Sequence, residues 1–261
     1  MTSAEKPLAI VTGASRGLGV AVARSLAERG AAVLFTGRDG DVVAAHAAKS
    51  RREGHDATAF ALDVTDDASV GALRAHVGER PIEILVNNAG IAMKGFDAEV
   101  ARRTIDTNTR GALRVTDALA DRLVNGARVV MVSSRMGQLD CLSRALAARF
   151  MDPALDRDGV EALLAEFVSD VAAGVHAKRG WPSSAYSVSK VAMNALTRIL
   201  ARELPRARVN AVCPGWVRTD MGGRSAPRAL AEGARSILWA TTVPPDGPTG
   251  GFFADGAPID W

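Results

Sequence analysis

Thr12-Gly13-Ala14-Ser15-Arg16-Gly17-Leu18-Gly19 is the stretch whose surroundings decide the fold. Residues 8–12 form a short apolar run, and residues 16–29 then repeat apolar side chains at helical spacing through Leu18, Val22 and Leu26 before Gly30. This reads as strand, glycine turn, helix. In that context glycines let the backbone approach a dinucleotide pyrophosphate closely, and the helix N-terminus offers unpaired N–H groups to it. Gly13, Ser15, Arg16, Gly17, Leu18 and Gly19 are therefore candidate cofactor contacts, although the spacing is Gly-x-x-x-Gly-x-Gly and an ordinary tight turn would use the same small residues.

The same alternation extends outward. Strands are expected at 32–36, 58–62, 83–86, 128–132, 208–212 and 251–253, and helices at 41–53, 68–78, 109–123, 184–204 and 228–238. Runs such as Val129, Val130, Met131 and Val132 are apolar on both faces, as in a parallel sheet covered on each side. The expected fold is α/β: one Rossmann-type domain over residues 1–261 with a doubly wound, mostly parallel, seven-stranded sheet. Between Ser134 and the helix at 184 the rhythm breaks, and helical periods at 142–149 and 160–173 mark a helical insertion at about 138–180.

The composition excludes several other classes. The 32 basic and 29 acidic residues are interspersed, and aromatics are only 5%, so neither a basic stripe nor stacking platforms for nucleic acid are present. No run approaches the roughly 18 apolar residues of a membrane span. Residues 1–7 carry Glu5 and Lys6 with no apolar segment after them, which points to a cytoplasmic protein. Cys141 and Cys213 form no CxxC pair, and His46, His55, His76 and His176 are scattered, so no metal site is expected.

The end of the second strand bears on the choice of nicotinamide cofactor. A carboxylate there would bond the ribose 2′-OH and repel a 2′-phosphate. The sequence has Phe35-Thr36-Gly37-Arg38, so Arg38 and Arg16 offer two guanidinium groups to a phosphate, which favours NADP over NAD. Asp39 beside them, and a purely solvated Arg38, are the opposing considerations.

Tyr186 and Lys190 are four residues apart on one face of an expected helix. A tyrosine with an ordinary pKa of about 10 exchanges protons poorly at neutral pH, and a neighbouring cation favours its anion. The pair therefore suits acid/base work. Asn87-Asn88-Ala89-Gly90, Asn108, Ser133-Ser134 and Pro214-Gly215 all fall at or after carboxyl ends of strands, where open α/β sheets build their sites.

With these residues in place, the sequence resembles the short-chain dehydrogenase/reductase family from Leu8 to about Met221 and on towards the C-terminus. Gly180-Trp181-Pro182-Ser183-Ser184-Ala185-Tyr186, Cys213-Pro214-Gly215-Trp216-Val217-Arg218-Thr219-Asp220-Met221, the insertion and Pro244-Pro245-Asp246-Gly247-Pro248-Thr249 resemble the monomeric NADPH-dependent carbonyl reductases within it.

The resemblance implies that Ser134 bonds the substrate carbonyl oxygen and Tyr186 donates the proton. It implies that Lys190 binds nicotinamide ribose and lowers the tyrosine pKa, and that Asn108 holds a relay water. Strand alternation alone does not separate Ser134 from Ser133. Cofactor contacts carried over are Asp63 and Val64 at the adenine, Asn88, Ala89 and Gly90 beneath the cofactor, and Pro214, Gly215, Val217 and Thr219 towards the carboxamide. Most of the family places the serine much nearer the tyrosine than the 52 positions seen here, and the added residues imply a monomer.

Arg135, Met136, Trp181, Trp216 and Met221 join Ser134 as candidate pocket walls, a lining that suits quinones, aldehydes and aryl ketones. Some of them could equally belong to the core.

Three rivals follow from the same residues. Gly13-Ala14-Ser15-Arg16-Gly17 also spells a hydrolase nucleophile elbow, with His176 downstream, but lacks an upstream oxyanion loop and leaves Tyr186 and Lys190 without a task. A non-catalytic dinucleotide sensor would not need the tyrosine and lysine. A narrow-substrate alcohol dehydrogenase or biosynthetic ketoreductase would keep every one of these residues.

Overall fold

The computed structural model describes residues 6–261; the first five residues, on which the reading of the amino terminus partly rests, lie outside them. In chain order the elements are β1 (Leu8–Val11), α1 (Gly17–Glu28), β2 (Ala32–Gly37), α2 (Gly40–Arg52), β3 (Ala57–Ala61), α3 (Asp67–Val77), β4 (Ile82–Asn87), α4 (Ala98–Ile105), α5 (Gly111–Leu119) and β5 (Leu123–Val132). There follow α6 (Arg144–Met151), α7 (Arg157–Ala172), α8 (Ala185–Glu203), β6 (Arg208–Val212), α9 (Leu230–Ala240), β7 (Phe252–Ala254) and β8 (Ala257–Pro258).

These strands form one sheet in the order β3-β2-β1-β4-β5-β6-β7-β8, parallel except for the β7–β8 pair. Side-chain alternation sorts the apolar runs into two layers. Val11, Val33, Phe35, Val86 and Val130 meet Val22 and Leu26 of α1, Val43 of α2 and Ile237 of α9. Ile10, Leu34, Leu85, Val129 and Met131 face the other way, onto Leu73 of α3, Val115 of α5 and Met193 and Leu200 of α8.

The insertion packs onto the domain. Leu146 and Phe150 of α6 and Leu163, Leu164 and Phe167 of α7 share a core with Val100 and Ile105 of α4 and Val188 and Leu196 of α8. Helix α8 is thereby buried on two sides, which fixes the side chains it carries into the site.

Three differences from the sequence reading have local causes. The sheet gains an eighth strand, because a turn through Asp255 and Gly256, at φ 51° and 82°, folds Ala257–Pro258 back onto β7. The helix before β5 starts at Ala98, where the Asp97 carboxylate accepts from the Val100 N–H, and it is broken by a π-helical turn at Asp106–Arg110. Strand β5 starts at Leu123, five residues before the expected 128. Among the described residues no helix is long and apolar enough to cross a membrane, and no three His, Cys, Asp or Glu side chains converge on a possible metal position.

Candidate active site

The strand order reverses between β1 and β4, and the crevice at such a switch point is where open α/β sheets bind ligands. Two side chains stitch its walls together. Thr12 Oγ1 accepts from the N–H groups of Asn88 and Ala89, each at 3.0 Å, and Asn88 Nδ2 donates to the carbonyls of Thr12 at 2.8 Å and Gly13 at 3.2 Å.

Glycine is required in this cradle. A Cβ on Gly13, at φ +66°, would sit 2.8 Å from Ala89 Cα, and one on Gly19 would sit 2.2 Å from the Gly13 carbonyl oxygen. Side-chain oxygens cap α2, α3, α4, α6, α7 and α8, whereas α1 has no side-chain cap and no acidic residue in its first turn. Its first N–H groups, which include those of Gly17, Leu18 and Gly19, have no capping side chain and suit an anion.

At the end of β2, Gly37 lies so close to Ser15 that a Cβ would come within 2.2 Å of the serine hydroxyl. Asp39 accepts from the Val42 N–H at 3.1 Å as the cap of α2, so its carboxylate has another task. Arg38 is exposed at the same edge. Arg16 pairs with Asp220 across the crevice at 3.2 Å, with both side chains largely in solvent. Asp63 Oδ1 accepts from the Thr65 hydroxyl at 2.7 Å and its N–H at 2.9 Å; against the opposing effect of burial, these bonds and nearby Arg38 lower its pKa. Val64 is buried, and its side chain abuts Gly111.

Tyr186 and Lys190 project from the first two turns of α8 towards the end of β5. Lys190 is nearly fully buried, and its Nζ donates to the Val132 carbonyl at 2.7 Å and lies 5.6 Å from the Tyr186 ring centroid. Burial lowers its pKa to about 8, with Cys213 opposing. Burial likewise raises the Tyr186 pKa; the neighbouring Ser134 hydroxyl opposes this, and Cys213 adds to it. The lowering of the tyrosine pKa implied by the family comparison is thus not what the protein alone produces. Removing the whole Tyr–Lys pair from water disfavours both charged forms.

The two serines of β5 have separate surroundings. Ser133 is buried and its hydroxyl donates to Asn194 Oδ1 at 2.6 Å, whereas Ser134 is only partly buried, faces Tyr186 and accepts from the Met136 N–H at 3.2 Å. Asn108 lies within the π-helical turn and is fully buried. Its Oδ1 accepts from the Ile91 N–H at 2.7 Å, and its Nδ2 donates to the Ile91 carbonyl at 2.9 Å and Ser189 Oγ at 3.0 Å. The Ser189 hydroxyl in turn donates to the Tyr186 carbonyl at 2.7 Å. Asn108 therefore joins the loop beneath Gly90 to the tyrosine helix.

Met136, Trp216 and Met221 expose 54%, 57% and 52% of their surface, an unusual concentration of large apolar side chains on loops at this edge. Arg135 is exposed beside them. Trp181 lies elsewhere: it is 3% exposed, packs on Phe150 and Phe167, and donates from Nε1 to Asp170 at 3.0 Å. The structure thus places it in the core of the insertion instead of on a pocket wall, because α6 and α7 enclose its ring.

Pro214 and Gly215 carry the chain out of β6, buried Val217 packs against Gly233 at the start of α9, and Thr219 Oγ1 accepts from the Gly222 N–H at 3.1 Å. Thr12, Ser189 and Asn194 were not singled out from the sequence. Their only local signal is a small polar residue within an apolar run, and their partners lie far away in sequence.

The sequence model of the short chain dehydrogenase family matches residues 7–145, and that described as Enoyl-(Acyl carrier protein) reductase matches residues 159–244. Carbonyl reductase (NADPH) 1 of Bos taurus is 36% identical over 276 residues, covering 99% of this chain and 100% of the relative. The Mus musculus protein of the same name is 37% identical over 280 residues with the same coverage. Among solved structures, salutaridine reductase from Papaver somniferum superposes with a TM-score of 0.90 at 28% identity, covering 96% of this chain and all of the other. Menthone neomenthol reductase from Mentha piperita gives 0.85 at 30% identity, covering 97% and 100%.

Proposed function

Because this chain belongs to the short-chain dehydrogenase family, we propose that it is an NADPH-dependent reductase of carbonyl compounds, taking quinones, aldehydes or ketones to hydroquinones or alcohols. The observation that carries this reading is the meeting of Ser134, Tyr186 and Lys190 at the carboxyl edge of the sheet, beside the β1–β4 crevice. The relatives named carbonyl reductase (NADPH) 1 support both the reaction and the cofactor.

The residues present fit a phosphorylated dinucleotide. The uncapped α1 N-terminus and its glycine cradle suit the pyrophosphate, and Arg38, with Arg16, suits a 2′-phosphate at a strand end whose nearest carboxylate, on Asp39, is already bonded. Asp63 and Val64 would border the adenine, Asn88, Ala89 and Gly90 the cofactor floor, and Pro214, Gly215, Val217 and Thr219 the carboxamide end. When bound, the nicotinamide supplies hydride.

The protein's own part is electrostatic and positional. Ser134 Oγ and Tyr186 Oη donate to the carbonyl oxygen, where negative charge grows, and each such donor is worth about 3 kcal/mol of barrier. Tyr186 then delivers its proton there. Its raised pKa keeps the phenol protonated at neutral pH, as a proton donor must be. The Lys190 ammonium, fixed by the Val132 carbonyl, keeps N–H groups available for ribose hydroxyls, and Asn108 holds the loop and helix that frame a water relay. The insertion covers α4 and α8, and the enzyme acts as a monomer.

A narrow-substrate ketoreductase is the second reading, favoured by the high structural similarity to two plant reductases that are each named for particular compounds. Nicotinamide absorbance, followed with an ortho-quinone, an aryl aldehyde and a β-keto ester under NADPH and then NADH, separates the two. Broad NADPH consumption supports the first, turnover of a single acceptor the second, and no turnover of any of the three despite tight NADPH binding argues against the first and for a narrow-substrate enzyme or a dinucleotide sensor.

A further inference from the structure

Arg135 directly follows Ser134, and its guanidinium makes no hydrogen bond and no ion pair among the described residues. Its backbone is pinned nonetheless. The Arg135 N–H donates to Cys213 Sγ at 3.3 Å, its carbonyl accepts from the Gln138 N–H at 3.0 Å, and the Met136 N–H is held by Ser134 Oγ at 3.2 Å. The turn Arg135–Gly137 packs tightly on α8, where a Cβ on Gly137 would come within 2.6 Å of Lys190. An exposed cation thus springs from a fixed point one residue from the hydroxyl that faces Tyr186.

The anion nearest in effect is Asp255, whose pKa Arg135 helps to lower, but both oxygens of Asp255 already accept from Arg228, at 2.9 and 2.7 Å. Arg16 has its own partner in Asp220. Arg135 therefore brings a positive charge with no direct side-chain partner to a turn that shares the Cys213 sulfur with Gly215, and the exposed large apolar side chains of these two segments are Met136, Trp216 and Met221. Apolar neighbours strengthen a charge–charge contact by lowering the local dielectric.

We propose that Arg135 is a specificity-determining residue that selects carbonyl substrates bearing a carboxylate, held by its guanidinium while the reacting oxygen lies at Ser134 and Tyr186. The proposal rests on the carbonyl-reducing reading of the site. A monoanion is the matching charge for a single guanidinium, and the planar fork suits two carboxylate oxygens. A dianionic phosphate is better matched by two cations, as at Arg16 and Arg38. Met136 and Trp216 would lie along the apolar body between the two ends, so an aromatic ring with the carbonyl and the carboxylate at opposite positions fits this arrangement.

The test uses 4-carboxybenzaldehyde and methyl 4-formylbenzoate, which differ only in the charge at the far end of the ring. The ratio of kcat/KM for acid over ester is measured with NADPH in the wild type, Arg135→Leu, Arg135→Lys and Arg135→Glu, at low and high salt. In the wild type the ratio exceeds one and falls with salt. Arg135→Leu lowers it about tenfold, mainly through KM for the acid, as expected for loss of a charge-assisted hydrogen bond. Arg135→Lys restores part of it, and Arg135→Glu lowers it further. Cofactor affinity and melting temperature, measured alongside, show that each variant is folded. Reduction of both aldehydes with a ratio that Arg135→Leu leaves unchanged overturns the Arg135 assignment alone. Failure of the wild type to reduce either aldehyde while it turns over an ortho-quinone or a β-keto ester overturns this proposal alone, and failure with all of these carbonyls despite NADPH binding overturns the broad carbonyl-reducing reading with it.

Discussion

The Ser133 hydroxyl donates to Asn194 Oδ1 at 2.6 Å, and that bond separates the roles of two adjacent serines. Asn194 is buried on α8 and its Nδ2 donates to the Gly137 carbonyl at 3.1 Å, so Ser133 helps hold the turn beyond Ser134. Ser134→Ala is expected to lower kcat about 100- to 1,000-fold with little change in stability. Ser133→Ala leaves the Asn194 oxygen unpaired in the core and lowers stability by about 1–3 kcal/mol with a smaller effect on kcat. Denaturant unfolding and steady-state kinetics on both variants check the assignment; equal effects on kcat would remove the distinction.

Tyr186→Phe deletes one hydroxyl and keeps the ring beneath Lys190, whose Nζ lies 5.6 Å from its centroid. Carbonyl reduction is expected to fall about 100- to 10,000-fold, while NADPH still binds. Cofactor binding followed by fluorescence, together with single-turnover rates, separates loss of the proton donor from loss of the site. Retention of more than a tenth of wild-type turnover would mean that another group supplies the proton.

Lys190 gives a pH signature in stability. Burial brings its pKa down from the ordinary 10.5 to about 8. Below pH 8 both folded and unfolded chains hold this proton and the folded state bears the full penalty, roughly 3 kcal/mol; between pH 8 and about 10.5 the unfolded chain binds more protons, so stability rises with pH. Lys190→Met lacks that dependence. The wild type should therefore gain stability relative to Lys190→Met as pH is raised from 7 towards 10.5, measured by urea unfolding of both proteins. A constant difference over that range would contradict the burial of a charged amine.

Cofactor preference should depend more on Arg38 than on Arg16, since Arg16 is paired with Asp220 at 3.2 Å. Arg38→Leu is expected to raise KM for NADPH about tenfold or more and to change KM for NADH little. Arg16→Leu should do less. The readout is the ratio of kcat/KM for the two cofactors, and an equal loss with both would show that Arg38 does not meet a 2′-phosphate.

Much of this was legible because a parallel sheet writes itself as continuous apolar runs. Val129 to Val132 announce β5, and Leu18, Val22 and Leu26 announce α1, without knowledge of their partners. Features that depend on tertiary contacts were not. Ser133 and Ser134 are told apart by Asn194 and Tyr186, both far along the chain and brought near by α8. Trp181 looked like a pocket wall until α6 and α7 closed around it. The π-helical turn at Asn108 has no compositional mark, and β8 is too short to have a period. The pKa of Tyr186 was expected to fall beside Lys190, yet burial acts on both groups at once and no pairwise rule contains that effect.

The expectation of a monomer rests on where the insertion lies. Leu163, Leu164 and Phe167 of α7 pack on Val100 and Ile105 of α4 and on Val188 and Leu196 of α8, so these apolar positions are already covered within one chain. Arg157 fastens the start of α7 to Asp117 of α5 at 2.8 Å and Glu203 of α8 at 2.7 Å. A second copy could reach this face only by displacing α7 and exposing Phe167, at a cost of the order of the 3–5 kcal/mol that truncating a core phenylalanine carries, before gaining any contact. Light scattering is therefore expected to give a mass near the 27.3 kDa of one chain. Phe167→Ala should lower stability first, and any self-association should emerge only in that loosened variant. A wild-type mass near twice the chain's would show that some other face joins the subunits.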